Sequence, residues 1–369
     1  MDGPGLDEFR AQAATWLAAN RHHAPPDYGA IMAPRHRDAG VAWQRRLFGA
    51  GWAGIHWPAE YGGRGWSADH QEVWLEECAK VQVPPFINMV GFVLAGQGIQ
   101  TFGTDRQRQR HLRAILTAET VWCQLFSEPN AGSDLAALET RALRDGDHFV
   151  INGQKVWCSG GRISQWGILM ARTDPSAARH RGISFFLIDM ASPGVETRPL
   201  RQMTGEAEFD EVFLTDVVVP AANLLGPEND GWRVGMVTLT NERGSIGAAS
   251  IGMQRRLDAL VALGGDLDPV ARQALVDLLI TGRTLYHLGQ RQGGASVASS
   301  IAKLGVTELV WETAMTRARL DGAEAMLDGP AARAVLGAPG GRIAGGTSQV
   351  QRNIIGERIL GLPKEPNPG

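Results

Sequence analysis

The chain has 369 residues, with 36 Lys+Arg against 39 Asp+Glu and a formal net charge of −3. That near-balance excludes the basic excess with which a nucleic-acid protein meets phosphates, and 44% hydrophobic content supports a substantial core. Three scattered cysteines (Cys78, Cys123, Cys158) without a Cys-x-x-Cys pair exclude a disulfide scaffold and point away from a zinc site. No apolar run approaches the ~18 residues of a membrane span, and the polar, acidic start MDGPGLDEFRAQAATWL does not read as a secretory signal. A reduced, cytoplasmic protein with no membrane and no nucleic-acid partner is expected.

Three segments differ in hydrophobic period. Residues 1–119 read as helices: DHQEVWLEECAKV spaces Val73, Leu75, Cys78 and Val81 helically, and RQRQRHLRAILTAET gathers Leu112, Ile115 and Leu116 on one side. Over 120–226 the period becomes two. DGDHFVINGQKVW carries strand residues on both sides of Asn152-Gly153, a hairpin signal, and GILMART, GISFFLIDM and DEVFLTDVVVP follow as short strands of a small barrel or sandwich. From 227 to 369 the helical period returns, with Val270, Leu275, Leu278, Leu279, Leu285 and Leu288 near one stripe and a second helix over ASSIAKLGVTELVWETAMTRARLDGAEAML. The organisation is helix, sheet, helix, without internal repeats.

The stretch WCQLFSEPNAGSDLA (122–136) is dense in hydroxyls, amides and turn residues, which suits a phosphate or a polar ring edge. Trp157 and Ser159, two apart in a strand, share a face on which one side chain stacks on a ring and the other bonds to it. The same strings read equally well as a capped turn and a core tryptophan. His22, His23 and His36 lack ligand spacing, so no metal is expected, and Cys123 and Cys158 read as packing residues.

PAEYGGRG, FSEPNAGSDL, INGQKVWCSGG, FDEVFLTDVVVP, LLGPENDGW, NERGSIGA and GGTSQVQRNIIGERILGLP occur in the order and spacing of one family. By these motifs the chain resembles the acyl-CoA dehydrogenases over nearly its whole length. The resemblance implies an α+β, mainly α fold: an N-terminal helical domain (1–119), a middle β-barrel (120–226) and a C-terminal helical bundle (227–369). It also implies FAD and a reaction that removes an acyl α-proton while the β-carbon gives hydride to the flavin. Carried over by position, Gln124, Phe126, Ser127, Ser133, Trp157 and Ser159 match residues around the flavin, and Ser133 also lies toward the pantetheine arm of CoA. Thr347 and Gln349 match C-terminal positions that reach the rest of the cofactor.

Most members carry the proton-abstracting glutamate just before Gly-Thr in the C-terminal motif; this chain reads RIAGGTSQVQ and has Gly345 there. A minority carry it before an arginine on the first long helix of the C-terminal domain, and LTNERGSIG places Glu242 and Arg243 at that position. The resemblance therefore implies Glu242 as base, with Arg243 toward CoA phosphate or the glutamate, and Gly345 and Gly346 offering backbone to the thioester. A Glu-Arg pair on a helix is more often a solvated or paired surface element.

Two family motifs are missing. LGGDLDPVARQA replaces the Arg-Lys-x-Phe-Gly run that binds a neighbouring subunit's FAD pyrophosphate, and RARLDGAEAML replaces the Gln-x-x-Gly-Gly-x-Gly run. A homologous partner subunit, as α2β2, is the expectation, with a homo-oligomer as alternative. Split pairs of this kind in actinobacteria act on steroid side-chain thioesters, which extends the expected substrate to bulky acyl groups. An electron-transferring flavoprotein is the implied electron acceptor. A flavin-dependent monooxygenase of the same fold and a non-catalytic partner subunit are the alternative functions.

Overall fold

The computed structural model describes residues 3–26, 31–241, 246–263, 265, 267–289 and 295–364. Contacts divide the chain into two compact units, Met1–Glu242 and Arg243–Gly369. No described helix is long and apolar enough to cross a membrane, and no described cluster of His, Cys, Asp and Glu is suited to a metal.

The first unit begins with helices α1 (Leu6–Asn20), α2 (Arg37–Gly49) and α3 (Ala68–Val81). A π-helical segment, Val90–Ala95, runs into α4 (Gly96–Phe102), and α5 (Asp105–Leu116) follows. Thr104 and Gln107 start α5 with reciprocal side-chain-to-backbone bonds, which satisfy two otherwise orphaned donors. Val73 and Cys78 on α3 and Leu112, Ile115 and Leu116 on α5 are buried as their spacing requires. The core between these helices is rich in indole: Trp43, Trp57 and Trp74 are fully buried, and Trp52 stacks on Trp74 at 4.8 Å.

Seven strands form one sheet: β1 (Trp122–Leu125), β2 (Arg141–Asp145), β3 (His148–Ser159), β4 (Trp166–Arg172), β5 (Ile183–Asp189), β6 (Val195–Leu200) and β7 (Phe209–Pro220). The ladder runs β1-β4-β2-β3-β7-β6, with β5 on the other side of β4 and no described pairing between β5 and β6. The expected barrel thus takes the form of a half-barrel. Helix α6 (Gly231–Asn241) packs against β5 and α4 and so belongs to this unit.

Asn152-Gly153 is not a hairpin turn. The turn lies at Asp145–His148, around Gly146 at φ +61°, and β3 runs unbroken through Asn152 and Gly153. Asn152 is occupied across the sheet: its Nδ2 donates to Asp216 Oδ1 (2.9 Å), and Asp216 N–H donates to its Oδ1 (2.9 Å). Gly153 serves close approach, since a Cβ there would stand 2.4 Å from Thr140 Oγ1. The residue pair that favours a tight turn serves a cross-strand contact here.

The β3–β7 pair carries two bulges of opposite sense. Between Ile151 and Gly153 the extra residue is on β7, where Asp216 has φ +48°; between Lys155 and Cys158 it is on β3, where Trp157 has φ +59°. Each bulge reverses which residues face inward. On β3 the buried set passes from Phe149, Ile151 and Lys155 to Cys158.

The second unit contains α7 (Ile246–Leu263), α8 (Pro269–Gly289), α9 (Ala295–Asp321), α10 (Pro330–Ile343) and α11 (Ser348–Ile354), the last continued by a π-helical turn at Ile355–Ile359. Met253, Leu257, Leu260, Leu275, Leu278 and Leu309 form its core. Val270 departs from the predicted stripe: in the first turn of α8 it is 79% exposed.

His111 on α5 is buried with its ring edge-on to Trp122 (5.1 Å) and Trp166 (4.7 Å). Burial, then the Arg110 charge, lower its pKa to about 4. An unfolded histidine binds its proton near pH 6.5, so stability is full above that value and declines as pH falls toward 4. His111→Phe should flatten the stability–pH curve over this window, removing a loss on the order of 3 kcal/mol, as read by chemical denaturation at stepped pH.

Candidate active site

Strand β1 delivers Gln124, half-buried and opposite Ile168, and then Phe126, whose ring meets Phe185 edge-on at 5.5 Å. After Ser127 the chain leaves the sheet as a loop. Glu128 and Ala131 exchange both backbone bonds (3.1 Å each), closing the tight turn Glu128-Pro129-Asn130-Ala131. Gly132 and Ser133 follow, exposed to solvent, and Asp134 pairs with Arg179.

The loop is held from behind by a buried ion pair. Lys155, fully buried on β3, donates from Nζ to Glu128 Oε1 (2.8 Å) and to Phe126 O (3.0 Å). The Glu128 carboxylate also accepts from Thr140 N–H (2.9 Å) and Glu139 N–H (2.7 Å), so one side chain fastens both limbs of the loop. Burial acts to raise the Glu128 pKa, but the Lys155 charge and these bonds outweigh it and the net shift is downward. Burial pushes the Lys155 pKa down against the opposing Glu128 charge. At 2.8 Å with every oxygen bonded, both groups are assigned as charged at neutral pH.

Val156 N–H donates to Ser127 O (2.9 Å), which brings the β3 bulge alongside the loop. The left-handed φ of Trp157 turns its indole outward, 55% exposed and edge-on to Phe209 at 5.8 Å. Ser159, on the same side, lines a small cleft with Ile87, Met89, Val90, Trp122 and Ser164. The Val156–Ser127 bond sets Phe126 and Ser127 beside the stretch of β3 that carries Trp157 and Ser159, while Ser133 sits exposed on the outer limb of the loop. Cys123 and Cys158 are fully buried, and burial pushes the Cys123 thiol to about 12 and raises that of Cys158. Neither is a nucleophile at neutral pH.

In the second unit, Gly345 (φ +64°) and Gly346 (φ +90°) form the turn between α10 and α11. Gln351 Nε2 donates to Gly345 O (3.1 Å), Lys303 Nζ to Gly346 O (2.6 Å), and Ser348 Oγ to Glu308 (2.8 Å). The carbonyls are tied down, while the N–H groups of Gly345 and Gly346 meet no acceptor among the described residues. Thr347 caps α11 by accepting from Val350 N–H (3.1 Å), and Gln349 is exposed one residue into the helix. Nothing lies within 4 Å of where a Gly345 Cβ would stand. Its left-handed φ, not crowding, is what favours glycine there. Glu242 and Arg243 lie outside the described residues.

Residues 7–119, 123–217 and 272–360 match the N-terminal, middle and C-terminal domains of acyl-CoA dehydrogenases. The chain belongs to the acyl-CoA dehydrogenase family. It is 39% identical to the acyl-CoA dehydrogenase IpdE1 of Mycobacterium tuberculosis, with 98% of each chain covered. Among solved structures it is similar to the ChsE4-ChsE5 complex from the same organism (28% identity, TM-score 0.81, 98% and 99% coverage). It is also similar to the Tcur3481-Tcur3483 steroid acyl-CoA dehydrogenase (26%, TM-score 0.83, 98% and 99%). This family membership makes the protein an oxidoreductase acting on acyl-CoA thioesters.

Lys155 and Glu128 were not singled out in the sequence. The available signal was a lysine at an inward position, in register with Phe149 and Ile151, within a strand otherwise apolar on that face. Lys155→Met should cost about 3–5 kcal/mol, because it leaves a buried carboxylate without its counter-charge. Urea denaturation measures that loss, and Lys155→Met/Glu128→Gln should recover most of it.

Proposed function

We propose that this acyl-CoA dehydrogenase binds FAD and introduces an α,β double bond into an acyl-CoA thioester in the cytoplasm. Trp157 carries the reading: a large indole is held outward at a left-handed φ, beside the half-buried Ser127 and Ser159. A flat ring with a polar edge fits that set, covering the indole and pairing the hydroxyls and the Ser127 N–H, which meets no acceptor among the described residues. FAD, when bound, supplies the acceptor for the two electrons that leave the β-carbon.

The chain's own residues do the rest. Glu242 takes the α-proton, a weak acid until the thioester oxygen is stabilised. The N–H groups at Gly345 and Gly346, which meet no acceptor among the described residues, receive that oxygen as its charge grows. Gln124, Phe126, Thr347 and Gln349 hold the cofactor, while Ser133 and Arg243 meet the CoA arm. The half-site for a partner's FAD, absent from LGGDLDPVARQA and RARLDGAEAML, comes from a homologous subunit in an α2β2 assembly. Similarity to the ChsE4-ChsE5 complex supports that assembly, and similarity to a steroid acyl-CoA dehydrogenase supports a bulky acyl group. Electrons then pass to an electron-transferring flavoprotein.

A non-catalytic subunit is the second reading, favoured by the missing carboxylate at Gly345. Glu242→Gln separates the two in the co-purified complex. As base, its loss should leave the visible flavin band intact and slow both turnover and α-proton exchange into D₂O by about 10²–10⁴-fold. Unchanged exchange removes Glu242 from the reaction, and absence of a flavin band in the wild-type complex overturns the cofactor assignment.

A further inference from the structure

We propose that Lys155 is a positioning residue that polarises the Phe126–Ser127 peptide, presenting the Ser127 N–H as a strengthened donor to the edge of the bound ring. The inference rests on the reading that a flavin occupies the Trp157 face. Lys155 Nζ donates to Phe126 O at 3.0 Å from a fully buried position. The Phe126 carbonyl and the Ser127 N–H belong to one planar unit, trans as every described bond is, so they point in opposite directions. With its carbonyl turned into the sheet toward Lys155, the unit aims its N–H away from the ammonium.

That N–H is the open end of a clamped segment. Ser127 O is bonded by Val156 N–H, Glu128 and Ala131 close the turn beyond, and the Glu128 carboxylate fixes both loop limbs. Among the described residues no acceptor meets Ser127 N–H. A charged donor on the carbonyl draws electron density along the amide and sharpens the hydrogen bond its N–H makes. The N–H lies next to the β3 bulge that turns Trp157 outward. A ring gathers negative charge when it takes up electrons, so a strengthened donor favours its reduced form over its oxidised form.

Packing does not require this pair. Burying two charges costs desolvation that apolar residues of the same volume avoid. Lys155 and Glu128 are thus better explained by what they impose on the loop than by stability.

The test uses Lys155→Met/Glu128→Gln, which removes both charges together. Phe-Ser occurs once in the chain, at Phe126-Ser127. Labelling Phe with 1-¹³C and Ser with ¹⁵N therefore gives a single carbonyl–amide cross-peak in the flavin-free protein. The variant should move both the ¹³C carbonyl and the amide proton upfield. In the flavin-loaded complex, the ratio of reduced to oxidised flavin at a fixed poise should fall about tenfold, the worth of one charge-assisted bond. A cross-peak and a flavin potential both unchanged, whatever happens to stability, would reduce Lys155 to a structural role and overturn the inference. If the wild-type complex holds no flavin, the cofactor reading fails on its own, while the cross-peak still decides whether Lys155 polarises the peptide. Lys155→Gln/Glu128→Gln, with a neutral donor in reach of Phe126 O, is read the same way should the first variant not fold, with a smaller shift expected.

Discussion

A lysine ammonium with no access to water sets the terms for the loop that follows β1 in the first unit. Lys155 must be met by a carboxylate and by hydrogen-bond acceptors, because an uncompensated buried charge is not tolerated. Glu128 and the Phe126 carbonyl are those partners, and both belong to the segment that leaves β1. Satisfying one side chain therefore fixes the path of the loop, and Glu128 in turn reaches across to Glu139 and Thr140. The outer limb, with Ser133 and its neighbours, stays in solvent while its base is anchored in the sheet.

The bulges turn that anchor into a working surface. A regular strand would place Trp157 on the same inward face as Lys155, two residues before it. The extra residue in β3 shifts the alternation, so Lys155 and Cys158 point in while Trp157 points out. Backbone strain at a left-handed tryptophan is accepted in a segment gripped on both sides by β7 and by Ser127. Exposure of the indole is thus a consequence of register, not of a weak core.

The second unit repeats the same device with different residues. At Gly345 and Gly346 the carbonyls are bound by Gln351 and Lys303, and the N–H groups meet no acceptor among the described residues. Two consecutive left-handed glycines permit the turn, and Thr347 immediately restores helical order by capping α11. In both units side chains take up the acceptors from one side, and the neighbouring N–H donors meet no acceptor among the described residues. Such donors suit chemistry in which negative charge develops on a ring edge or a thioester oxygen.

The helix–sheet–helix order, the helices at Ala68–Val81 and Asp105–Leu116, and the main strands were legible because each depends on local period and capping. The family was legible too, since its motifs are contiguous strings in a fixed order along the chain. Asn152-Gly153 was misread, and Val270 misplaced, because the same residues serve a turn or a cross-strand contact, an inner stripe or a free first turn. By itself the sequence determined most of the helices and strands and the family to which the chain belongs. Only the tertiary structure decided that Trp157 faces outward and that Lys155 sits behind Ser127. Bulges and buried charge pairs arise from register and burial between strands distant in the chain, and no local pattern of residues encodes either.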